Sequence, residues 1–333
     1  MTEAPPIRRL GAVGTLVWDT NWHPSVLAGS GAPLEQWGGA VYSLSSLAAT
    51  CPRGWIVQPI LKVGADLAAR AIDRLSTLPN LDLDPGIRSV PEPNNRVELL
   101  YQDLAHRTER LTGGVPGWTY EELEPLLPRI DALYLNFIAG SELGLADTLR
   151  LRANFPGLVY GDLHSLFLGP PGAAARPPRP LERADEWLTC FDIVQLNEAE
   201  LELLSAGRDW ETMLGCFAEA GVKLVVATLG ERGVRYGVRA GLPEDPLAWR
   251  SAAPSDAVFE SGVLPTPLGE LPGDPTGCGD VWGAAFLAGL LARLPLRNAI
   301  MHAERLAAAK MDVADTATLY ERLAAAAPDH PLD

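Results

Sequence analysis

Short apolar runs alternate with segments of helical spacing along most of the chain. The runs have the near-continuous apolar character of strands buried in a parallel sheet, and they cover residues 11–18, 55–63, 132–138, 158–161, 192–196 and 223–229. Between them, apolar residues recur at helical intervals over residues 33–49, 66–78, 142–153, 197–205 and 210–220. Neighbouring parallel strands require long crossovers, which helices supply. The alternation therefore predicts a doubly wound α/β fold with helices on both faces of a mostly parallel sheet.

Two stretches interrupt this alternation. Polar residues dominate 96–114, which predicts short exposed strands rather than a core helix. Residues 169–180 read GPPGAAARPPRP, a composition typical of a surface loop. After Gly233 the apolar residues of 234–240 predict a hairpin strand at one edge of the sheet, and the tail from Gly277 onward is mostly helical.

The charge and cysteine content limit the partners and the compartment. The 333 residues include 27 Lys and Arg against 42 Asp and Glu, a formal charge of −15, so the surface repels phosphate backbones and anionic lipid. We therefore expect no nucleic-acid or membrane partner. The four cysteines form no C-x-x-C pair, which argues against disulfides and zinc. The run after Arg8 and Arg9 lacks a signal-peptidase site, and the longest apolar run, 281–292, is too short to cross a bilayer, so we expect a cytoplasmic protein.

Several catalytic motifs are absent from the sequence. A P-loop needs Gly-Lys followed by Ser or Thr, but the three lysines precede Val63, Leu224 and Met311. There is no G-x-S-x-G elbow and no H-E-x-x-H motif. The first apolar run offers only two glycines, at 11 and 14, in place of G-x-G-x-x-G, so a nicotinamide dehydrogenase rests on the α/β pattern alone.

The most informative segment is 274–285, which reads DPTGCGDVWGAA and leads directly into a predicted helix near Cys278. Backbone N–H groups at a helix N-terminus lack partners and carry the positive end of the helix dipole, and glycines let an anion approach closely. Asp280 in the first turn stabilises the dipole, and beside an anion it can also accept a proton from an attacking hydroxyl. The segment therefore predicts an anion site with a carboxylate beside it.

These residues resemble the PfkB family of carbohydrate kinases, the ribokinase-like sugar kinases. The segment 274–280 is similar to the family signature D-T-x-G-A-G-D, with Pro275 and Thr276 at its second and third places and Cys278 for alanine. Four further matches follow the order of the family: WGGAVYS at 37–43, KVGAD at 62–66, NEAE at 197–200, and the strand and glycine turn at 225–233. The resemblance spans residues 11–311. It implies a single ribokinase-like domain over 1–330, a three-layer α/β/α sandwich with a small β-sheet lid.

The resemblance implies an ATP-dependent kinase that phosphorylates a hydroxyl of a sugar or sugar-like molecule. Asp280 would be the general base that takes the proton of that hydroxyl. The anion hole for the transferring phosphoryl group would consist of Gly277, Cys278 and Gly279.

The resemblance also implies a site for Mg²⁺ and ATP. Glu200 would hold Mg²⁺ through water, because magnesium keeps much of its hydration shell. Without the resemblance, the simpler interpretation is that Asn197 caps a helix and that Glu200 is an exposed glutamate. The residues implied to bind ATP are Asn197, Thr228, Gly230 and Gly233, although a plain strand and turn explains the last three nearly as well.

The implied acceptor site lies at the ends of the first strands. Asp19 would end the first strand of the sheet and accept hydrogen bonds from two sugar hydroxyls. The alternative interpretation is that Asp19 is only a turn residue. Gly38 and Gly39 would let the N-terminus of the next helix approach the sugar. The remaining substrate-binding candidates are Ser43 and Asp162.

The polar stretch 94–118, with part of 19–36 as a further candidate, fits the lid that such kinases place over the sugar. Strands that project from an α/β core leave unpaired edges or an uncovered face, which a partner often covers. We therefore expect a homodimer through residues 96–114.

Departures from the family pattern leave the substrate open. Ser43 replaces the usual asparagine, and Asp162-Leu-His164 replaces D-x-N-x-R, so His164 either touches the substrate or packs under the proline-rich loop. Ribose, fructose, a keto-deoxy sugar acid and a nucleoside all remain possible substrates. A phosphorylated sugar is less favoured, although three arginines could supply positive charge for its phosphate: Arg96, Arg107 and Arg110. The departures also motivate a second hypothesis, a sensor of the same fold that binds a sugar or nucleotide without turnover.

Overall fold

The computed structural model describes residues 7–22, 26, 32–101, 107–172, 174–251, 258–266, 268–269, 271–313 and 315–327. Strands and helices are numbered along the chain. The strands are β1 (Arg8–Val13), β2 (Leu16–Trp22), β3 (Leu34–Gly39), β4 (Trp55–Gly64), β5 (Ile87–Val90), β6 (Arg96–Tyr101), β7 (Arg107–Thr112), β8 (Ala132–Asn136), β9 (Leu158–Asp162), β10 (Ile193–Asn197), β11 (Leu224–Thr228), β12 (Val234–Arg239) and β13 (Phe259–Leu264).

The helices connect these strands and form the C-terminal part of the described chain. They are α1 (Ala40–Thr50), α2 (Ala68–Leu75), α3 (Tyr120–Leu123), α4 (Leu145–Asn154), α5 (Ala184–Leu188), α6 (Glu198–Ser205), α7 (Trp210–Glu219), α8 (Cys278–Leu291), α9 (Leu296–Met311) and α10 (Leu319–Ala326). No helix of the described residues is long and apolar enough to span a bilayer.

The central sheet has nine strands in the order β13-β12-β11-β10-β9-β8-β1-β4-β5. The pairs from β11 to β5 are parallel, whereas β12 and β13 pair antiparallel at one edge. Strands such as β8 and β9 are buried along their whole length, because helices cover both faces of the sheet. One apolar core joins α1, α8, α9 and α10 to one face, and a second joins α4 to α7 to the other. The predicted three-layer α/β/α architecture is confirmed.

The predicted strand over 11–18 is wrong as one element. The chain leaves the central sheet after Val13, and Leu16 begins β2 of a separate four-stranded sheet, in the order β3-β2-β6-β7. Asp19 therefore lies inside β2 and does not end a strand of the central sheet. The apolar run is continuous because residues on either side of the break are buried.

The predicted helix over 33–49 is also wrong in its first part. Leu34–Gly39 pairs antiparallel with β2, and the helix begins only at Ala40. The small sheet thus combines β6 and β7, from the predicted lid, with two strands from 16–39. Residues 102–106 of the predicted lid lie outside the described residues.

Both edges of the small sheet contact other parts of the same chain. The proline-rich loop lies along β7, where the N–H of Gly172 donates to the oxygen of Leu111 at 2.9 Å and the N–H of Arg176 donates to that of Glu109 at 2.9 Å. At the other edge, the Thr316 hydroxyl donates to the oxygen of Trp37 at 2.8 Å. Both edges thus contact other segments of this chain, and the expected homodimer stays a prediction.

Candidate active site

The N-terminus of α8 forms the centre of the site. Gly277 caps this helix with φ +77°, in the left-handed region, and no side chain caps it. A Cβ at Gly277 would lie 2.4 Å from the ring of Tyr42, so only glycine fits against this buried tyrosine. The N–H groups of the first turn of α8 have no side-chain acceptor at the cap, which suits an anion, but the N–H of Cys278 donates to the oxygen of Pro275 at 3.1 Å, so the prediction that this N–H belongs to the anion hole is not supported.

Asp280 lies in that first turn, beside the carboxyl edge of the central sheet. Asn136, the last residue of β8, donates from Nδ2 to Asp280 Oδ1 at 2.7 Å. This bond orients the carboxylate and occupies one of its oxygens. A carboxylate accepts about four hydrogen bonds in all, so Asp280 keeps the capacity to accept a proton.

A buried tyrosine connects α8 to the small sheet. Burial, followed by the charges of Asp19, Asp274 and Asp280, raises the pKa of Tyr42 well above its usual value of 10.0. The hydroxyl of Tyr42 is buried and has no hydrogen-bond partner. The carboxylates of the small sheet and of α8 therefore lie around one neutral phenol group.

Side chains also tie the loop 274–277 to its neighbours. Tyr101, the last residue of β6, donates to Asp274 Oδ1 at 3.2 Å and shares a short hydrogen bond with the Thr276 hydroxyl. On the other side, Lys310 Nζ donates to the main-chain oxygen of Asp274 at 2.7 Å. These contacts fix the loop that leads into the helix N-terminus.

A cavity of about 810 Å³ opens beside this helix N-terminus. Thr228 and Gly230 line one side of it, and Cys278 and Gly279 line another, so the structure brings four predicted site residues to one cavity. Gly233 is not among its described lining residues. A Cβ at Gly233 would lie 2.0 Å from the oxygen of Leu264, which gives this glycine a packing role in the hairpin.

Asn197 and Glu200 form a capping box at the start of α6. Glu200 accepts two hydrogen bonds from Asn197, one from its N–H at 2.8 Å and one from its Nδ2 at 2.5 Å. It also shares a hydrogen bond with His164 Nδ1 at 2.6 Å. Only 7% of its side chain is exposed, so Glu200 is a buried carboxylate and not the exposed one that a plain cap predicts. Burial alone would lower the pKa of His164, but the neighbouring carboxylate of Glu200 raises it. Because 43% of the His164 side chain is exposed, solvent screens the attraction between the imidazolium and this carboxylate.

Asp162 ends β9 next to these groups. Burial, followed by the charges of Asp280 and Glu200, raises its pKa to about 8. Three carboxyl groups from β9, α6 and α8 therefore lie close enough to repel one another. Such a concentration of negative charge suits a cation.

Three acceptor-site candidates, Asp19, Gly38 and Gly39, lie in the small sheet, and Ser43 lies in α1. Asp19 is 3% exposed, and a Cβ at Gly38 would lie 1.8 Å from its Oδ2, so Gly38 makes room for this carboxylate. Gly39 caps α1 and holds φ +59°. The Ser43 hydroxyl donates to the oxygen of Ala40 at 3.2 Å, within its own helix. Asn21, two residues beyond Asp19, is fully buried and neither polar atom of its side chain has a hydrogen-bond partner.

Two arginines proposed for a phosphorylated sugar are occupied elsewhere. Arg96 pairs with Asp66 at 2.8 Å, and Arg110 pairs with Glu98. The side chain of Arg107 lies outside the described residues. The described part of the small sheet therefore gives no support to recognition of a sugar phosphate by these arginines.

Sequence reasoning missed several residues of the site because partners from distant elements define them. Asn136 could have been found as the polar residue that closes an apolar run, and Lys310 as one of only three lysines. The other missed residues carry no local signal, and they are Asn21, Tyr42 and Tyr101.

Comparisons with known proteins support the fold and the resemblance to a family. The model of the pfkB family carbohydrate kinases matches residues 173–321. No curated protein matches the chain. A ribokinase from Thermotoga maritima has 18% identity and a TM-score of 0.70, and the alignment covers 96% of this chain and 99% of that one.

Two other structures show the same likeness. A fructokinase from Xylella fastidiosa with bound ATP has 14% identity and a TM-score of 0.72, covering 96% of this chain and 98% of that one. A pyrophosphate-dependent kinase in the ribokinase family has 18% identity and a TM-score of 0.70, covering 95% and 98%. At these identities the structures show a shared fold. With the family match, they confirm the resemblance of this chain to the pfkB family of carbohydrate kinases and the kinase class that it implies.

Proposed function

We propose that the protein transfers the γ-phosphoryl group of ATP to a hydroxyl of a sugar or sugar-like alcohol. The observation that carries this proposal is the position of Asp280, in the first turn of a helix without a side-chain cap, held by Asn136 and next to a large cavity. A proton acceptor and an anion site then lie within one helical turn. Transfer of a phosphoryl group to a hydroxyl needs both.

In this mechanism the acceptor oxygen forms a bond to the γ-phosphorus while the bond between that phosphorus and the bridging oxygen of ADP breaks. The hydroxyl proton passes to Asp280, whose orientation Asn136 maintains. The backbone N–H of Gly279 stabilises charge on the transferring group, because it is oriented before the charge develops, whereas the N–H of Cys278 donates to the oxygen of Pro275 at 3.1 Å. Tyr42, packed against Gly277, supports this backbone geometry.

The residues present fit Mg²⁺ bound through water. Among the described residues, no three His, Cys, Asp or Glu side chains form a group that could hold a metal ion. Magnesium on a triphosphate keeps several waters, so carboxylates one water away are sufficient. Glu200 and Asp162 meet this requirement, since both lie near Asp280, and a bound cation would stabilise the ionised form of Asp162, whose pKa burial and the neighbouring carboxylates raise to about 8. When bound, Mg²⁺ would neutralise charge on the triphosphate.

The cavity favours a nucleoside triphosphate over pyrophosphate as the donor. Its described lining residues include no lysine or arginine, whereas leucine, alanine, methionine and tryptophan side chains supply apolar surface. Pyrophosphate has no apolar part that would use such a surface. A nucleoside does, and sites for such ligands are mostly apolar with a few polar groups.

The acceptor side favours a molecule with several hydroxyl groups. Asp19 and Asn21 point to the same face of β2, because alternate residues of a strand share a face. An unpartnered buried amide costs about 1–3 kcal/mol, which a hydrogen-bonding ligand would offset. We propose that the polyol lies against these two residues and under the small sheet, which acts as the lid.

The experiment that tests this proposal measures ADP release with Mg²⁺ and ATP against a panel of sugars, sugar acids, polyols and nucleosides, with pyrophosphate as an alternative donor. Activity with a nucleoside alone would make the protein a nucleoside kinase. Silence across the panel, with tight ligand binding intact, would favour the sensor hypothesis. We also retain as predictions a homodimer and a location in the cytoplasm.

A further inference from the structure

The cavity of about 810 Å³ beside the N-terminus of α8 is the donor cavity of the proposed function. One carboxylate in this cavity has no part in the mechanism above. Glu304 lines the cavity from α9, and Trp282 donates from Nε1 to Glu304 Oε1 at 2.9 Å. The Thr266 hydroxyl is a second donor to the same group. Two neighbours therefore fix the position of this carboxylate, which still has capacity to accept hydrogen bonds, since a carboxylate offers about four lone-pair sites.

Glu304 is displaced along α9 from the helix N-terminus that would hold the phosphates. Cys278 Sγ lies 3.5 Å from the oxygen of Ala307 and 3.5 Å from the sulfur of Met311. Glu304 precedes these two residues by three and seven positions, which at a rise of 1.5 Å per residue corresponds to about 5 to 10 Å along the helix. The cavity therefore has a phosphate end at Cys278 and a second end at Glu304.

The second end is built for a flat apolar group with a hydrogen-bond donor at its rim. Between Cys278 and Glu304 the cavity is lined by the apolar side chains of Trp282, Ala307, Ala308 and Met311, with Leu268 and Leu271 contributed by the loop. An ionised carboxylate accepts hydrogen bonds and cannot donate them. A base with an amino group at its edge satisfies it, whereas a keto oxygen there would face negative charge.

We propose that Glu304 selects the nucleobase of the donor by accepting a hydrogen bond from its exocyclic amino group. This inference rests on the proposed function, in which the cavity holds a nucleoside triphosphate. It predicts a preference for ATP over ITP, which has a 6-keto group in place of the 6-amino group and a proton on N1, so that a carboxylate positioned at the 6-substituent meets an acceptor instead of a donor. Hydrogen bonds to charged groups contribute about 1.5–3 kcal/mol, so we expect a preference of about 10- to 100-fold in kcat/KM.

The test compares ATP with ITP in the full-length protein and in two variants. Glu304→Gln keeps the size of the side chain and the acceptor for Trp282, but its amide can also donate to a keto oxygen. We expect the ATP to ITP ratio to fall by at least about 10-fold in this variant, mostly through faster use of ITP. Glu231→Gln is the matched control, because Glu231 is an exposed carboxylate on the wall of the same cavity, and its loss should leave the ratio unchanged.

Melting curves establish that both variants are folded. The inference is overturned if wild-type protein uses ATP and ITP equally, if Glu304→Gln keeps the wild-type ratio, or if Glu231→Gln changes the ratio equally. If no nucleotide supports turnover, the proposed function fails, and calorimetric binding of ATP and ITP to the same three proteins then decides the role of Glu304. A preference for ATP in binding that Glu304→Gln removes supports the inference, and absence of binding by both nucleotides overturns it.

Discussion

Replacing Gly279 by alanine tests whether phosphate approaches the backbone at the start of α8. A Cβ at Gly279 would have no protein atom within 4 Å, and Gly279 lines the donor cavity. Alanine is favoured over glycine in helices by about 0.5–1 kcal/mol, so the variant should melt at the same temperature or up to about 3 °C higher. A methyl group that displaces a phosphate by 1 Å costs on the order of 100-fold in rate. We therefore expect kcat/KM for ATP to fall about 100-fold in a protein that is no less stable.

Two other glycines provide the controls. Gly215 lies in α7, and a Cβ there would also have no atom within 4 Å, so Gly215→Ala should reproduce the gain in stability without loss of activity. Gly277→Ala should instead destabilise the protein by roughly 2–5 kcal/mol, since it combines left-handed backbone with a clash against Tyr42. The assay is steady-state kinetics beside calorimetric melting. Wild-type kinetics in Gly279→Ala would refute the anion site at this helix N-terminus.

Three further predictions concern the base, the thiol and the lid. Asp280→Asn should lower kcat by at least about 100-fold while the free energy of unfolding changes by no more than about 1 kcal/mol; a variant with wild-type kcat would exclude Asp280 as the base. Cys278 should react with iodoacetamide faster than Cys51 and Cys190, since burial raises the pKa of those two thiols to about 12. Mg-ATP should protect Cys278 from the reagent, and mass spectrometry after partial labelling measures both effects. A homodimer through the lid must use the outer face of the small sheet, where Leu100 is 37% exposed. Leu100→Glu should therefore convert a dimer seen by light scattering into a monomer, and a wild-type protein that is already monomeric contradicts the expectation.

The inner strands of the central sheet, from β11 to β4, could be predicted from the sequence because they are mostly buried on both faces. Such strands are short apolar runs whose pattern needs no knowledge of distant neighbours. The small sheet could not be predicted in this way. Its strand Leu34–Gly39 reads as the start of the following helix, and only pairing with β2 makes it a strand. The exposed edge strand Phe259–Leu264 was missed for the same reason, since most of its residues are not buried.

The glycines and the aspartate at 277–280 could be predicted as a helix N-terminus because such a terminus is a local structure, while their roles in the site stay predictions. Their partners could not, because these arrive from elements far along the chain. Tyr101 comes from the small sheet, and Asn136 comes from the central sheet. The contact of the proline-rich loop with β7 could not be predicted either, since nothing in the composition of this loop indicates that it lies along that strand.

The polar residues at the carboxyl edge of the central sheet follow a simpler rule. Asn136, Asp162, Asn197 and Thr228 are the last residues of the adjacent strands β8, β9, β10 and β11, and they pair in register as Asn136 with Asp162 and Asn197 with Thr228. A polar side chain inside such a strand would be buried between two helix layers, so it is tolerated mainly where the strand ends. Because the strands are parallel, these ends meet at one edge, where ligands of α/β sheets bind. The helix bearing Asp280 begins at this edge, as its bond to Asn136 demonstrates. The first polar residue after each apolar run is therefore a site candidate before any motif is recognised.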